Sequence, residues 1–146
     1  MMNEQGDPSP IDEDPLGVSA LAPSRTPFQN QVDFEIALFR GILDRDPNYL
    51  EVLRVLGNNL AAKGRHAESL ELDSRIVRLR PDDKIALYNL ACSYAMVGMV
   101  DASIDSLEKA IAAGYDQFEY MRRDGDLEAV RQDPRFRRLL ESSGVR

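Results

Sequence analysis

The side chains most able to do chemistry in this 146-residue sequence are its one histidine and its one cysteine. His66 follows Gly64 and has no second histidine or cysteine near it in the sequence, and Cys92 is equally isolated. A metal site or a general base needs several converging groups, and a reactive thiol needs a lowered pKa. The sequence therefore favours a histidine in a turn and a half-buried thiol over catalysis.

A second candidate for chemistry is a run of alternating acids. Asp124, Asp126 and Glu128 are spaced like the first ligands of a calcium loop. An EF-hand needs glycine at its sixth position and glutamate at its twelfth, whereas this segment has Gly125 second and Arg135 twelfth. Capping and turn formation are the simpler interpretation, and no phosphate-binding loop, nucleophile elbow or metalloprotease motif occurs. We expect a non-enzyme without cofactor or metal; a metal- or thiol-dependent enzyme using these acids, the histidine and the cysteine is the less favoured alternative.

Charge and hydropathy restrict the partners. The formal net charge of −7 and the pI near 4.7 argue against a nucleic-acid binder, which needs a basic face. No segment approaches the ~20 apolar residues of a membrane span, and the N-terminus lacks the basic start and apolar run of a secretory signal. A single cysteine excludes an intramolecular disulfide. We therefore predict a cytoplasmic protein with neither nucleic-acid nor membrane partners.

The first 30 residues differ in composition from the rest. They contain five of the eight prolines, with acids, serine and glycine between them. Proline at this density blocks helix propagation, and low hydrophobicity does not offset the entropy of ordering. Residues 1–30 are predicted to form a disordered acidic tail, with a solvated leader favoured over a binding or phosphorylation arm.

The elements that position the remaining residues are predicted to be helices. Val32, Ile36, Phe39 and Ile42 fall on one helical face, which predicts a helix that ends before Pro47. Four longer helices follow in two pairs and span about 49–63, 66–80, 84–97 and 101–111. Gly64, Gly98 and Gly114 mark the ends of three of them, and Asn48, Asp82-Asp83 and Asp101 mark three of the starts. Shorter helical segments are predicted within 118–142, the last of them capped by Asp133 with Pro134 at its first position.

The two helix pairs repeat one another. A set of apolar, small and glycine positions recurs 34 residues later: Leu53, Leu56, Leu60, Gly64, Ser69 and Ile76 match Leu87, Leu90, Tyr94, Gly98, Ser103 and Ala110. This period is typical of helical-hairpin repeats. Leu53, Leu56, Leu60, Leu70, Ile76, Leu87, Leu90, Tyr94, Ile104 and Leu107 are predicted to be buried between hairpins, and mid-helix Gly57 is expected where the partner helix leaves no room for a side chain.

These positions resemble the signature of the tetratricopeptide-repeat family. The resemblance implies an all-α fold, a right-handed superhelix of antiparallel helical hairpins. Residues 31–46 would be an N-terminal half-repeat or cap helix, 50–83 the first repeat, 84–117 the second, and 118–142 a degenerate third repeat or C-terminal cap. The C-terminal stretch is similar to the endings of bacterial members of the family.

The resemblance also implies a function, namely the binding of an unidentified peptide or protein segment in a concave groove. Positions two, five, nine, twelve and thirteen of each first helix line that groove in the family. Those positions are Glu51, Arg54, Asn58, Ala61, Ala62, Ile85, Tyr88, Cys92, Ala95 and Met96. A non-catalytic scaffold or adaptor is the leading interpretation, a secretion or assembly chaperone is the alternative, and homo-oligomerisation is a third possibility.

One subfamily of co-chaperones grips the C-terminal carboxylates of its ligands, and part of its residue pattern occurs here. Arg54, Asn58, Asn89 and Arg123 match that pattern in kind, which adds Asn89 and Arg123 to the candidate groove residues, but Glu119 replaces a lysine. Because an acid repels a carboxylate, the sequence favours a general peptide groove over this grip, although the grip stays an alternative.

Overall fold

Within residues 30–144, which the computed structural model describes, the protein consists of eight helices and no strand. The predicted all-α class is confirmed. The helices are α1 (Gln31–Arg45), α2 (Leu50–Ala62), α3 (His66–Leu79), α4 (Lys84–Met96), α5 (Val100–Ala112), α6 (Phe118–Arg123), a 3-10 helix (Gly125–Val130) and α7 (Pro134–Ser142). Apart from Asn30, the predicted tail lies outside the described residues. No helix in the described range is long and apolar enough to span a membrane.

The described residues fall into two units, which divide between Leu38 and Phe39. In the first unit, the side chain of Asn30 accepts a hydrogen bond from the Asp33 backbone N–H at 3.0 Å and so caps the start of α1. One turn further on, Gln31 donates to Glu35 at 2.9 Å. All that follows concerns the second unit.

Glycines in the left-handed region end three of the helices. Gly64, Gly98 and Gly114 follow α2, α4 and α5 with φ of 76°, 82° and 109°. After α2, the N–H of Arg65 reaches back to the Leu60 carbonyl at 2.8 Å, and the equivalent bonds after α4 and α5 are both 2.9 Å. This pattern satisfies carbonyls that a helix end would otherwise leave without partners. The predicted glycine stops are therefore confirmed.

The helix starts agree less well with the sequence. Asp83 accepts from two backbone N–H groups at the start of α4, and Asp133 caps α7, both as predicted. The predictions for Asn48 and Asp101 are wrong. The N-cap of α2 is Tyr49, which makes no side-chain capping bond, because the turn after the preceding proline leaves Asn48 one residue too early. Helix α5 begins before Asp101, which therefore lies in the first turn.

From α2 to α5, each helix packs against the next, and the 3-10 helix also packs against α4. This consecutive packing is compatible with a helical repeat. Most of the residues predicted to be buried are buried, but Leu70 and Tyr94 are only partly so. The buried stripe of α3 runs through Ser69, Leu72, Asp73 and Ile76, which leaves Leu70 at its edge.

One buried contact occurs twice, at positions 34 residues apart. The hydroxyl of Ser69 donates to the carbonyl of Gly57 at 3.1 Å, and that of Ser103 donates to the carbonyl of Ala91 at 2.7 Å. Each bond ties the second helix of a pair to the first. At Gly57 a Cβ would lie 3.4 Å from an oxygen of Asp73, an ordinary contact distance. The helices do approach closely, but the prediction that no side chain would fit is wrong for alanine.

Candidate functional site

A partly enclosed cleft of about 120 Å³ lies between α2, α3, α4 and the segment formed by α6 and the 3-10 helix. Polar and titratable side chains dominate its walls. The lining residues are Asn58, Ala61, His66, Ser69, Asp73, Tyr88, Asn89, Cys92, Ser93, Met96, Tyr120, Asp124 and Asp126. The cleft thus joins side chains from both predicted repeats with side chains from the C-terminal segment.

The predicted groove residues separate into two groups in this structure. Asn58, Ala61, Tyr88, Asn89, Cys92 and Met96 line the cleft. The others do not line it: Glu51, Ala62, Ile85 and Arg123 are exposed, Arg54 is half-buried, and Ala95 is buried. The inner face of α4 and the end of α2 therefore come together around one cavity.

Tyr88 organises one wall of the cleft. It is buried, its ring stacks on Tyr115 with centroids 4.3 Å apart, and its hydroxyl donates to the Asp124 carboxylate at 2.6 Å. Burial, with the adjacent carboxylate, raises the pKa of Tyr88, so the phenol stays protonated and acts as a donor. Burial likewise raises the pKa of Tyr115 to about 12. Tyr88 fixes the position of Asp124 and is not a free contact for a ligand.

Two acids of the C-terminal segment face this wall. The second oxygen of Asp124 accepts from the Asp126 backbone N–H at 3.0 Å, which caps the 3-10 helix. Partial burial raises the pKa of Asp126, the charge of Asp124 raises it further, and His66 opposes the rise. The capping role predicted for the acids is confirmed for Asp124, and the same carboxylate also borders the cleft.

A third acid, Asp73, borders the cleft from α3. It is only 9% exposed, and one of its carboxylate oxygens accepts from the Ser93 hydroxyl at 2.5 Å. Burial raises the pKa of Asp73 from 3.8 to about 6, and the serine hydroxyls oppose part of that rise. Above that pKa this position carries a buried negative charge.

Cys92 lies beside these acids, with its sulfur 3.8 Å from an Asp124 oxygen. Ligand atoms of Cys92, Asp124 and Asp126 all lie within 4.8 Å of one another. Burial raises the pKa of the Cys92 thiol, and the neighbouring acids raise it further. The thiol is therefore protonated near neutral pH, whereas a nucleophile or metal ligand requires the thiolate. This geometry is that of a buried donor, as a non-catalytic cysteine would have.

The two asparagines of the carboxylate grip, Asn58 and Asn89, line the cleft, but its two arginines do not. Arg54 pairs with Asp83, with nitrogen and oxygen 2.5 Å apart, and Arg123 is exposed away from the lining. Glu119 pairs with Arg122 at 2.8 Å. The charged groups that border the cleft are instead mainly acids, which favours cationic over anionic ligands.

Sequence reasoning missed several of the lining residues, above all Asp73, Ser93 and Tyr120. A signal for Asp73 was present in the repeat, because the residue 34 positions later is Leu107, which is fully buried. An acid is unusual at a position where the other repeat has a core leucine, and this difference could have indicated Asp73 as a functional residue. No comparable sequence signal indicates Tyr120.

No family model matches the chain. The chain is similar to a protein of Arabidopsis thaliana described as chloroplastic, with 33% identity over 88 residues. The match covers 58% of this chain and 26% of that relative, so the chain spans only a minor part of the relative's length.

Proposed function

We propose that this chain is a tetratricopeptide-type interaction module that binds an extended peptide or protein segment along the surface bordered by α2 and α4. In this proposal residues 50–83 and 84–117 are the two full repeats of a right-handed superhelical stack, and residues 118–142 close it as a degenerate third repeat. The protein is a non-catalytic scaffold or adaptor. The duplicated serine-to-carbonyl bonds and the matching helix ends support the repeat assignment.

The observation that carries the binding function is the cleft itself. Asn58 from the first hairpin and Asn89, Cys92 and Met96 from the second border a single cavity. These residues occupy positions at which the family resemblance implies ligand contacts. Asparagine side chains offer both donors and acceptors, as the main chain of an extended segment requires.

The protonated thiol and the capped carboxylate support the non-catalytic assignment. Cys92 is buried beside acids that disfavour its thiolate. Asp124 is already bonded to a phenol and a backbone N–H. Neither group is poised as a nucleophile or a general base. A cytoplasmic location and self-association stay predictions from the sequence.

The test compares two methionines that differ in position. Met96 lines the cleft and is 39% exposed, whereas Met99 is 48% exposed and lies outside it. Affinity capture from the source organism is performed with wild type, Met96→Glu and Met99→Glu. We expect the first variant to lose captured proteins that the second retains, because a charge at the cleft opposes docking of a segment.

Each lost protein is then purified and its dissociation constant measured against all three baits. Buried Tyr88 is left unchanged, since its removal would test stability instead of binding. If Met96→Glu retains the same captured proteins with the same affinities as Met99→Glu, the proposed binding surface is wrong.

A further inference from the structure

Building on the proposed function, we infer that the cleft receives a basic side chain, arginine or lysine, of the bound segment. Asp73, Asp124 and Asp126 border it from α3 and the C-terminal segment. Among the lining residues that the structure describes, His66 is the only basic one. None of these three carboxylates forms an ion pair with lysine or arginine within residues 30–144. The cleft therefore offers negative charge that the described part of the chain does not neutralise.

The burial of Asp73 is a further observation that favours a cationic ligand. Within residues 30–144, its carboxylate is supported by a serine hydroxyl and by no charged partner. Burying a carboxylate without a counter-ion is unfavourable, and nothing in the helix pairing requires it here, because the second repeat uses Leu107. A cation from a partner would supply the opposite charge at this point.

The cleft has room for a group larger than a single ion or water. A cavity needs only about 10–15 Å³ to hold one water-sized group, whereas this cleft has about 120 Å³. That volume fits the stem and head of a long side chain.

The lining also suits such a side chain. Tyr120 is 58% exposed, and its ring centroid lies 6.2 Å from that of Tyr88. An open tyrosine face attracts a guanidinium or ammonium group. Met96 offers an apolar edge for the methylene stem.

The test begins with a random dodecapeptide library displayed on phage and selected on the full-length protein. We expect arginine and lysine to be enriched over the input library among peptides whose binding is lost in Met96→Glu. Synthetic versions of these peptides are then compared with forms in which arginine is replaced by citrulline, or lysine by acetyl-lysine. Removing the charge should weaken binding about tenfold or more, because charge-assisted bonds are lost.

Matched variants locate the effect on the protein. Asp124→Asn with Asp126→Asn removes two charges at the cleft and keeps an acceptor oxygen at the cap. Asp105→Asn with Asp116→Asn removes two charges from exposed residues that do not line it. The first pair should weaken the selected peptides about tenfold or more, and the second by less than about twofold.

Two results would overturn the inference, and a third would refute the proposed function on which it rests. Peptides that need Met96 but bind equally well with citrulline or acetyl-lysine would show a peptide groove without a cation site. Calorimetry could also show stoichiometric Zn²⁺ binding that the Asp124→Asn, Asp126→Asn double variant loses. If the peptides also bind equally well without their charge, the acids would be assigned to a metal site. A library that yields no peptide dependent on Met96 would instead refute the proposed function itself.

Discussion

Replacing Asp73 by asparagine should change how the stability of the protein depends on pH. Burial raises the pKa of Asp73 from 3.8 to about 6. An acid with a raised folded-state pKa binds its proton more tightly in the folded state than in the unfolded state. The folded state therefore gains stability from this group in acid, and that gain is lost as pH rises from about 4 to about 6.

The magnitude follows from the two pKa values. Their difference corresponds to about 3 kcal/mol, since one pKa unit is about 1.4 kcal/mol. The free energy of unfolding of wild type, minus that of Asp73→Asn, should fall by roughly that amount between pH 4 and pH 7. His66, Asp124 and Asp126 also border the cleft, but they are present in both proteins and largely cancel in the difference.

The assay is urea unfolding followed by circular dichroism at 222 nm, at half-unit pH intervals. The Ser93 hydroxyl donates to Asp73 and lowers the pKa of its carboxyl group. A second variant, Ser93→Ala, removes this hydroxyl, so the pKa should rise further and the stability should fall more steeply with pH. If wild type and Asp73→Asn keep a constant stability difference across this pH range, the carboxylate is not buried as described.

Two further predictions concern the repeat itself, and both are checked by urea unfolding. Leu56→Ala and Leu90→Ala should each destabilise the protein by about 2–5 kcal/mol, since both side chains are buried. The control Val55→Ala changes an exposed side chain and should cost far less. If either leucine variant unfolds like wild type, the repeat alignment is wrong. Gly98→Ala should destabilise the protein by about 1–2 kcal/mol, because the φ of 82° is in the left-handed region. Gly125→Ala serves as the control, since a Cβ at Gly125 would meet open space. If the two variants are equally stable, alanine causes no strain at the end of α4.

Local signals explain why the helices were predictable. The glycine stops at Gly64 and Gly98 and the caps at Asp83 and Asp133 depend on residues within one turn, so the sequence contains the information directly. The predictions failed where a cap depended on the path of the preceding turn, as at Asn48. Single-residue shifts in helix starts are not encoded in hydrophobic periodicity.

The cleft was only partly predictable, because its walls come from segments far apart in the sequence. Asn58 and Cys92 share a repeat position, so the 34-residue period placed both on one surface. The bond from Tyr88 to Asp124 depends instead on how the C-terminal segment packs against α4. Periodicity within a helix does not specify that packing, so the sequence predicted only a capping and turn-forming role for the acids.

The contrast between Asp73 and Leu107 connects stability with function. Both residues lie on the second helix of a predicted pair, and both are buried. Leucine stabilises such a position by burying apolar surface, whereas an ionised aspartate loses hydration there. Stability alone therefore favours leucine in both repeats. The acid occurs only in the repeat whose second helix borders the cleft, and this asymmetry is what a binding site superimposed on a repeated fold would produce.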